Sequence, residues 1–222
     1  MVVHELLHYT FVPNKNLNEL LGHIISPLVG LNFLEYRKQH FKHHASKTVA
    51  EDPDAYIYLP VVREERWYTR MWVFFAGAIA EFFKKLKKKS FSREGSILSQ
   101  YSVPIAQVLL LAVFSYFSSP LHYILYWLLP LVTIGLFLNR LRVLIEHGYA
   151  FDKTKGSPQT TVNVRCNFFE RIIFAPHNFN YHQIHHDYPG IPYYHLPQFY
   201  APQNAEGKHH SYVGMLMRIL FK

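Results

Sequence analysis

Hydrophobic and polar positions divide this chain into long apolar runs separated by polar, histidine-bearing stretches. Residues 97–117 (ILSQYSVPIAQVLLLAVFSYF) and residues 121–138 (LHYILYWLLPLVTIGLFL) carry no charged side chain. A helix needs about 20 apolar residues to cross the hydrocarbon core of a bilayer, so each run predicts a span. Ser118-Ser119-Pro120 between them reads as a tight turn, and the pair predicts a transmembrane hairpin. Pro104 and Pro130 fall inside the runs, a placement that membrane helices tolerate better than soluble ones. Residues 67–83 (WYTRMWVFFAGAIAEFF) are shorter, interrupted by Arg70 and rich in aromatics; they predict a helix in or dipping into the membrane interface. Residues 17–34 (LNELLGHIISPLVGLNFL), broken by Gly22, Pro27 and Gly30, read the same way. No strand alternation of useful length and no repeat interrupts the pattern. The predicted class is all-α, an integral-membrane helical protein with a transmembrane hairpin and interfacial helices. Two buried core helices of a soluble protein are the competing reading, which one short turn joining two such runs disfavours.

At 222 residues the chain is long enough for one packed domain, and nothing requires two. Residues 1–66, 67–146 and 147–222 are its successive parts. The formal charge of +8 raises two partners, nucleic acid or an anionic membrane face, and placement decides between them. Lys84–Lys89 (KKLKKK) and Arg93 precede the first predicted span, and Arg140, Arg142, Lys153 and Lys155 follow the second. A hairpin returns both clusters to one side, which the positive-inside rule makes cytoplasmic, so no nucleic-acid partner is expected. The single cysteine, Cys166, permits no intrachain disulfide and reads as packing. Residues 1–3 are too short for a signal peptide.

Histidine changes the picture most. HELLH places His4 and His8 at i, i+4; HFKHH places His40, His43 and His44 at i, i+3, i+4; HQIHH repeats that spacing with His182, His185 and His186. On a helix these offsets share one face, so imidazoles from adjacent turns converge. A random chain with 15 histidines in 222 residues would hold roughly 0.07 HxxHH patterns, and this one holds two. Metal binding is the reading. Imidazole suits iron, copper, nickel and zinc alike, so ligand type leaves the metal open, whereas eight clustered imidazoles are too many for one ion and argue for two. An all-imidazole site is strongly cationic and favours carboxylates or oxygen species beside it. If residues 67–83 do not cross the bilayer, all three motifs gather on the cytoplasmic side as a histidine-rich di-metal site.

In order, type and spacing, HELLH, HFKHH and NYHQIHH resemble the three histidine boxes of the integral-membrane fatty acid desaturases and related hydroxylases and ketolases. The resemblance covers nearly the whole chain. It implies two iron ions, O2 as co-substrate, electrons from a donor such as ferredoxin or cytochrome b5, and oxidation of an unactivated C–H bond of a lipid, an acyl chain or a carotenoid. It also implies a ninth ligand just after the second span, and His147 in RVLIEHGY occupies that place; read alone, His147 is an isolated histidine with no assigned role. Asp52-Pro53-Asp54 and IPYYHLP are smaller matches. One departure concerns an Asn that some members carry one turn before the lone histidine to hold a water on iron. That position is Val143, and Asn139 lies two turns before, which puts the water contact in doubt. No HPGG haem-binding stretch occurs, so a separate electron donor is expected.

HELLH is also the HExxH pattern of zinc proteases, in which Glu5 would be the general base. That reading leaves the other histidines without a role. In the desaturase reading Glu5 orients an imidazole or is merely exposed, and Glu146, Asp187, Glu35 and His177 are further supporting candidates; His23 and His122 read as packing residues. Family members carry membrane helices before the first box. The expectation is therefore a truncated or late-started chain, inactive as written and restored by an upstream extension. A catalytically inactive membrane protein that only binds a partner or metal is the reading from a different class.

Overall fold

Helices form along the apolar runs, and most of their ends have identifiable causes. The computed structural model describes residues 1–46, 48–87, 96–148, 161–200 and 211–221, with backbone only for residues 78 and 81–87. Among them the elements are α1 (Val2–Leu7), α2 (Lys15–Leu28), α3 (Phe33–Ala45), α4 (Ala55–Arg63), α5 (Trp67–Lys87) and α6 (Ile97–Gln100). They continue with α7 (Ser102–Phe117), α8 (Pro120–Gly148), α9 (Phe168–Phe174), α10 (His182–Asp187) and α11 (Tyr212–Leu220). No strand occurs among the described residues, as the all-α reading expects.

The described chain forms two compact units. The first comprises residues 2–41 and 80–137; the second comprises Met1, residues 42–79 and residues 138–222.

In the first unit Leu6, Leu7 and Phe33 form the buried core, with Phe11, Leu21 and Ile25 packed on it. Gly22 is there because nothing larger fits: a Cβ would overlap the Phe33 ring. Asn14 caps α2 at its start, its side chain accepting from Leu17 N at 3.0 Å. At the other end Gly30, at φ 76°, and Leu31 return their N–H groups to Pro27 O and Ser26 O, a complete Schellman stop. Asn32 then caps α3 through Glu35 N, and the two helices meet at 103°. Gln107 of α7 donates to the carbonyls of Pro27 and Leu28, at 2.8 and 2.9 Å, and Trp127 of α8 donates to Leu28 O at 3.2 Å.

The predicted hairpin is only partly realised. Ser96 caps a separate four-residue turn, α6, which ends at Tyr101, so α7 keeps 16 residues. At 1.5 Å per residue α7 is about 24 Å long, short of a bilayer core of about 30 Å. The turn falls where expected: Ser118 ends α7 and Pro120 is the first residue of α8. With 29 residues α8 outruns its predicted span, and it is the one continuous described helix long and apolar enough to cross a membrane; only 6% of its most apolar window is buried. Pro130 sits between two widened π-turns, residues 124–128 and 131–135. Residues 67–83 are helical as expected, and α2 with α3 forms a sharply broken apolar pair.

In the second unit α4 and α11 pack on the last turns of α8, burying Ile57, Tyr58 and Val61 with Leu144, Ile145 and Ile219. Arg140 and Arg142, counted from sequence in the basic cluster that follows the second span, make their contacts inside this unit. Arg140 is buried, donates to Phe74 O at 3.1 Å and lies over Gly77, where any Cβ would strike its guanidinium. Arg142 stacks on the Phe179 ring at 4.1 Å. Lys84–Lys87 end α5; Lys88, Lys89, Arg93, Lys153 and Lys155 lie outside the described residues.

Candidate metal centre

Three stretches of chain supply histidines to the second unit: the last turn of α3 (His43, His44), the last turn of α8 (His147) and α10 (His182, His185, His186). Each is set by local chemistry. The end of α8 widens into a π-turn over Leu144–Gly148, a form that single turns adopt at functional sites. There Tyr58 of α4 stacks on the His147 ring, centroids 5.7 Å apart. Asn163 caps α10 from a distant segment, its Oδ1 accepting from Gln183 N at 3.1 Å and Ile184 N at 3.3 Å. Asn180 holds that segment in place through Val164, in both directions.

His43, His147, His182 and His186 each offer a nitrogen, all within 4.8 Å of one another. The Nε2 atoms of His147 and His182 are 3.0 Å apart, and those of His182 and His186 are 3.2 Å apart. Two imidazoles bound cis to one ion at about 2.1 Å have nitrogens about 3.0 Å apart, so this spacing fits a shared metal. His44 and His185 form a further pair, Nε2 to Nε2 3.1 Å. In the first unit His4, His8 and His40 also converge within 4.8 Å, with 2.7 Å between the Nε2 atoms of His8 and His40. Every one of the nine histidines singled out from sequence thus lies beside at least one other.

The charge state fits ligation. Burial, then the neighbouring imidazoles, holds His182 and His186 well below the ordinary histidine range. Burial, then the Arg37 guanidinium, lowers His8 to about 4. These rings are neutral at pH 7 and keep a lone pair for a metal.

Carboxylates fix the ring orientations. His43 Nδ1 donates to Asp52 Oδ1 at 2.7 Å, which makes Nε2 the nitrogen that a metal ion would take. Asp52 is itself held by Tyr58 O–H on Oδ2 at 2.9 Å and by Asp54 N–H on Oδ1 at 2.8 Å. Burial raises the Asp52 carboxyl, but the His43 bond and charge outweigh it and leave a net lowering. Because Asp52 is spent on Nδ1, the grouping of His43, Asp52 and Asp54 is a support rather than a separate cation site. Glu5 is buried, not exposed: it accepts from His4 Nδ1 at 3.2 Å and from Thr10 Oγ1 at 2.7 Å. Glu146 is fully buried, accepts from Tyr212 O–H at 2.8 Å and approaches His182 Nε2 to 3.6 Å.

The other candidates divide. His177 stacks on Tyr193, Glu35 sits in the first turn of α3, and Asp187 is exposed at the end of α10. Val143 is buried and Asn139 exposed, two turns from His147. As expected of packing residues, His23 lies against the Phe33 ring and His122 against Tyr126. Sequence reading assigned no role to Asp52, Tyr58, Thr10, Asn163 or Tyr212. Of these, only Asp52 carried a signal, as part of the Asp-Pro-Asp match.

Compared with known proteins, residues 1–215 match the family described as fatty acid desaturase. The chain belongs to the fatty acid desaturase family. A curated relative, dihydrorhizobitoxine desaturase of Bradyrhizobium elkanii, is 28% identical over 213 residues, covering 87% of this chain. The chain spans 60% of that relative's length. No solved structure matches it significantly. The match favours the histidine-box reading of HELLH over the zinc-protease one, in which Glu5 would be the general base; here Glu5 accepts from His4 Nδ1.

Proposed function

We propose that this chain carries the catalytic site of a membrane di-iron oxygenase that introduces a double bond into a lipid acyl chain. The observation that carries the reading is the largely buried group of His43, His147, His182 and His186, its nitrogens at the spacing of one ion's ligands and one ring backed by Asp52. The donor set fits iron: neutral imidazoles suit Fe(II), and carboxylate partners offset the charge of a cation taken out of water. One ion is assigned to those four residues, and the triad His4, His8 and His40 supplies a second donor set. When bound, iron supplies the activation of O2 that no side chain can perform. The balance is that –CH2–CH2– gives two electrons and two protons, a donor gives two electrons, and with two further protons O2 leaves as two waters.

The chain's own residues do the rest. Asp52, held by Tyr58, keeps the His43 Nε2 lone pair aimed inward. Thr10 holds Glu5, and Glu5 does the same for His4. Burial of His4, His40, His43, His147, His182 and His185 excludes bulk water, which protects reactive species from side reactions.

The reading places α8 across a bilayer, because its apolar surface is turned outward, and the histidine site on the cytoplasmic face. Ferredoxin or cytochrome b5 is the class of electron donor. The test is to supply reductant, O2 and isotope-labelled fatty acyl substrate and to analyse products by mass spectrometry. A loss of two mass units locates a desaturase. A gain of sixteen would make it a hydroxylase, and labelled carotene extends the test to ketolation. The relative's name motivates including dihydrorhizobitoxine itself as a substrate. No oxidation of any of them would sink the proposal.

A further inference from the structure

The short helix α9 is built inside out. Its sequence, FFERIIF, sets Phe168, Phe169, Ile172 and Ile173 on one continuous arc of the helix surface. These four side chains are 71%, 72%, 59% and 52% exposed, whereas the charged Glu170, on the other side, is buried. A helix facing water does the reverse, turning charge outward and apolar side chains inward. Fraying is not the cause, because α9 is fixed at both ends. Asn167 and Glu170 close a capping box, Glu170 Oε1 accepts from Val213 N of α11 at 3.0 Å, and Phe174 lies against the Tyr212 ring with centroids 5.3 Å apart. The pattern repeats on α11: Val213, Met217 and Phe221, one turn apart, are half exposed, and Tyr212, Met215 and Ile219 are buried. Phe221 stacks on Trp67 of α5 at 5.7 Å. Every exposed charge on residues 161–174 and 211–221 is an arginine: Arg165, Arg171 and Arg218.

We propose that α9 and α11 form a foot in the bilayer interface, their apolar faces entering the acyl region of one leaflet and the three arginines meeting its anionic headgroups. This rests on the reading of the chain as a membrane protein through α8. Charge selects lipid over a protein partner: the apolar face is rimmed by arginine alone, which complements lipid phosphate, and that pairing is the composition of an interfacial helix. Trp67 beside Phe221 is the residue type that settles at headgroup depth. The same compact unit contains the last turns of α8, the helix whose apolar surface is turned outward. Because α9 leads into α10, the foot holds the segment bearing His182, His185 and His186 beside the leaflet that carries acyl chains.

The experiment uses the full chain in lipid nanodiscs, with Cys166→Ser to remove the native thiol and a nitroxide on one new cysteine at a time: Phe169→Cys, Ile172→Cys or, on α8, Leu125→Cys. Collision rates with O2, which concentrates in lipid, and with a nickel chelate, which stays in water, report depth. The labels at 169 and 172 should favour O2 as the label at 125 does, and more strongly with phosphatidylserine present than in phosphatidylcholine alone. Arg165→Gln combined with Arg171→Gln should remove that dependence on lipid charge; no dependence in the arginine-bearing chain overturns the headgroup contacts. Free nickel access at 169 and 172, with 125 in lipid, overturns the foot, and free access at all three defeats the membrane reading of α8 itself. Shielding of 169 from both reagents, with dipolar broadening between labels on two chains, overturns it in favour of a second copy on this face. Should Cys166→Ser not fold, wild type in bilayers bearing a carbene-forming acyl chain decides. Adducts on residues 168–174 support the foot, and adducts on α8 alone overturn it.

Discussion

Replacing Asp52 tests whether the site is held by its outer carboxylates. Asp52 receives three bonds, from His43 Nδ1 at 2.7 Å, Asp54 N at 2.8 Å and Tyr58 O–H at 2.9 Å. In Asp52→Asn the amide oxygen still accepts from His43 and Asp54, and the amide nitrogen can donate to Tyr58. What is lost is the negative charge, and charge-assisted bonds are about twice as strong as neutral ones. In Asp52→Ala the His43 ring also loses its orientation, and Tyr58 O–H is buried without an acceptor at a cost of about 1–3 kcal/mol. Loss of a carboxylate behind a metal-bound imidazole lowers affinity about 10- to 100-fold, or about 1.4–2.7 kcal/mol. We expect D52N near the lower figure and D52A near the upper, in anaerobic Fe(II) titrations against a competing chelator. Only the ion on the His43 group should weaken. If both variants bind two ions with wild-type affinity, the Asp52–His43 bond does not orient a ligand and the reasoning fails.

Acid should destabilise the metal-free chain. His8 is lowered from 6.5 to about 4 by burial and Arg37, so the unfolded chain takes up its proton first. Stability is complete above pH 6.5 and falls as pH drops toward 4, by about 2 kcal/mol for this residue after allowing for its partial exposure. His182 and His186 act in the same direction. Thermal melting in detergent at pH 7 and pH 4.5 measures it, and equal midpoints would refute it. Gly22→Ala should cost about 1–3 kcal/mol, because its Cβ overlaps the Phe33 ring; adding Phe33→Leu should recover part of the melting temperature, and purely additive losses would contradict the contact.

The clustering of the histidines was legible because the boxes are local: i, i+3, i+4 spacing on a helix commits the side chains to one face before any tertiary contact forms. His147 was not legible by itself, and only the family pattern singled it out. Its presentation depends on a π-turn and on the Tyr58 ring, neither of which leaves a periodic trace. Asp52 lies in the segment before α4 and meets Tyr58 of that helix at a separation of six residues, which no helical period marks; Tyr212 reaches Glu146 across 66 residues. The apolar runs located the helices, yet mean hydropathy could not show that Ser96 would cap a separate turn and leave α7 short of a span. Nor could charge alone show that Arg140 would lie buried against Phe74 and Gly77.

The most direct measurement is iron per chain in protein purified in mild detergent, for wild type and for His43→Ala and His185→Ala. The account predicts about two irons in wild type, with a site lost in each variant. One zinc per chain in wild type, untouched by either substitution, would contradict it.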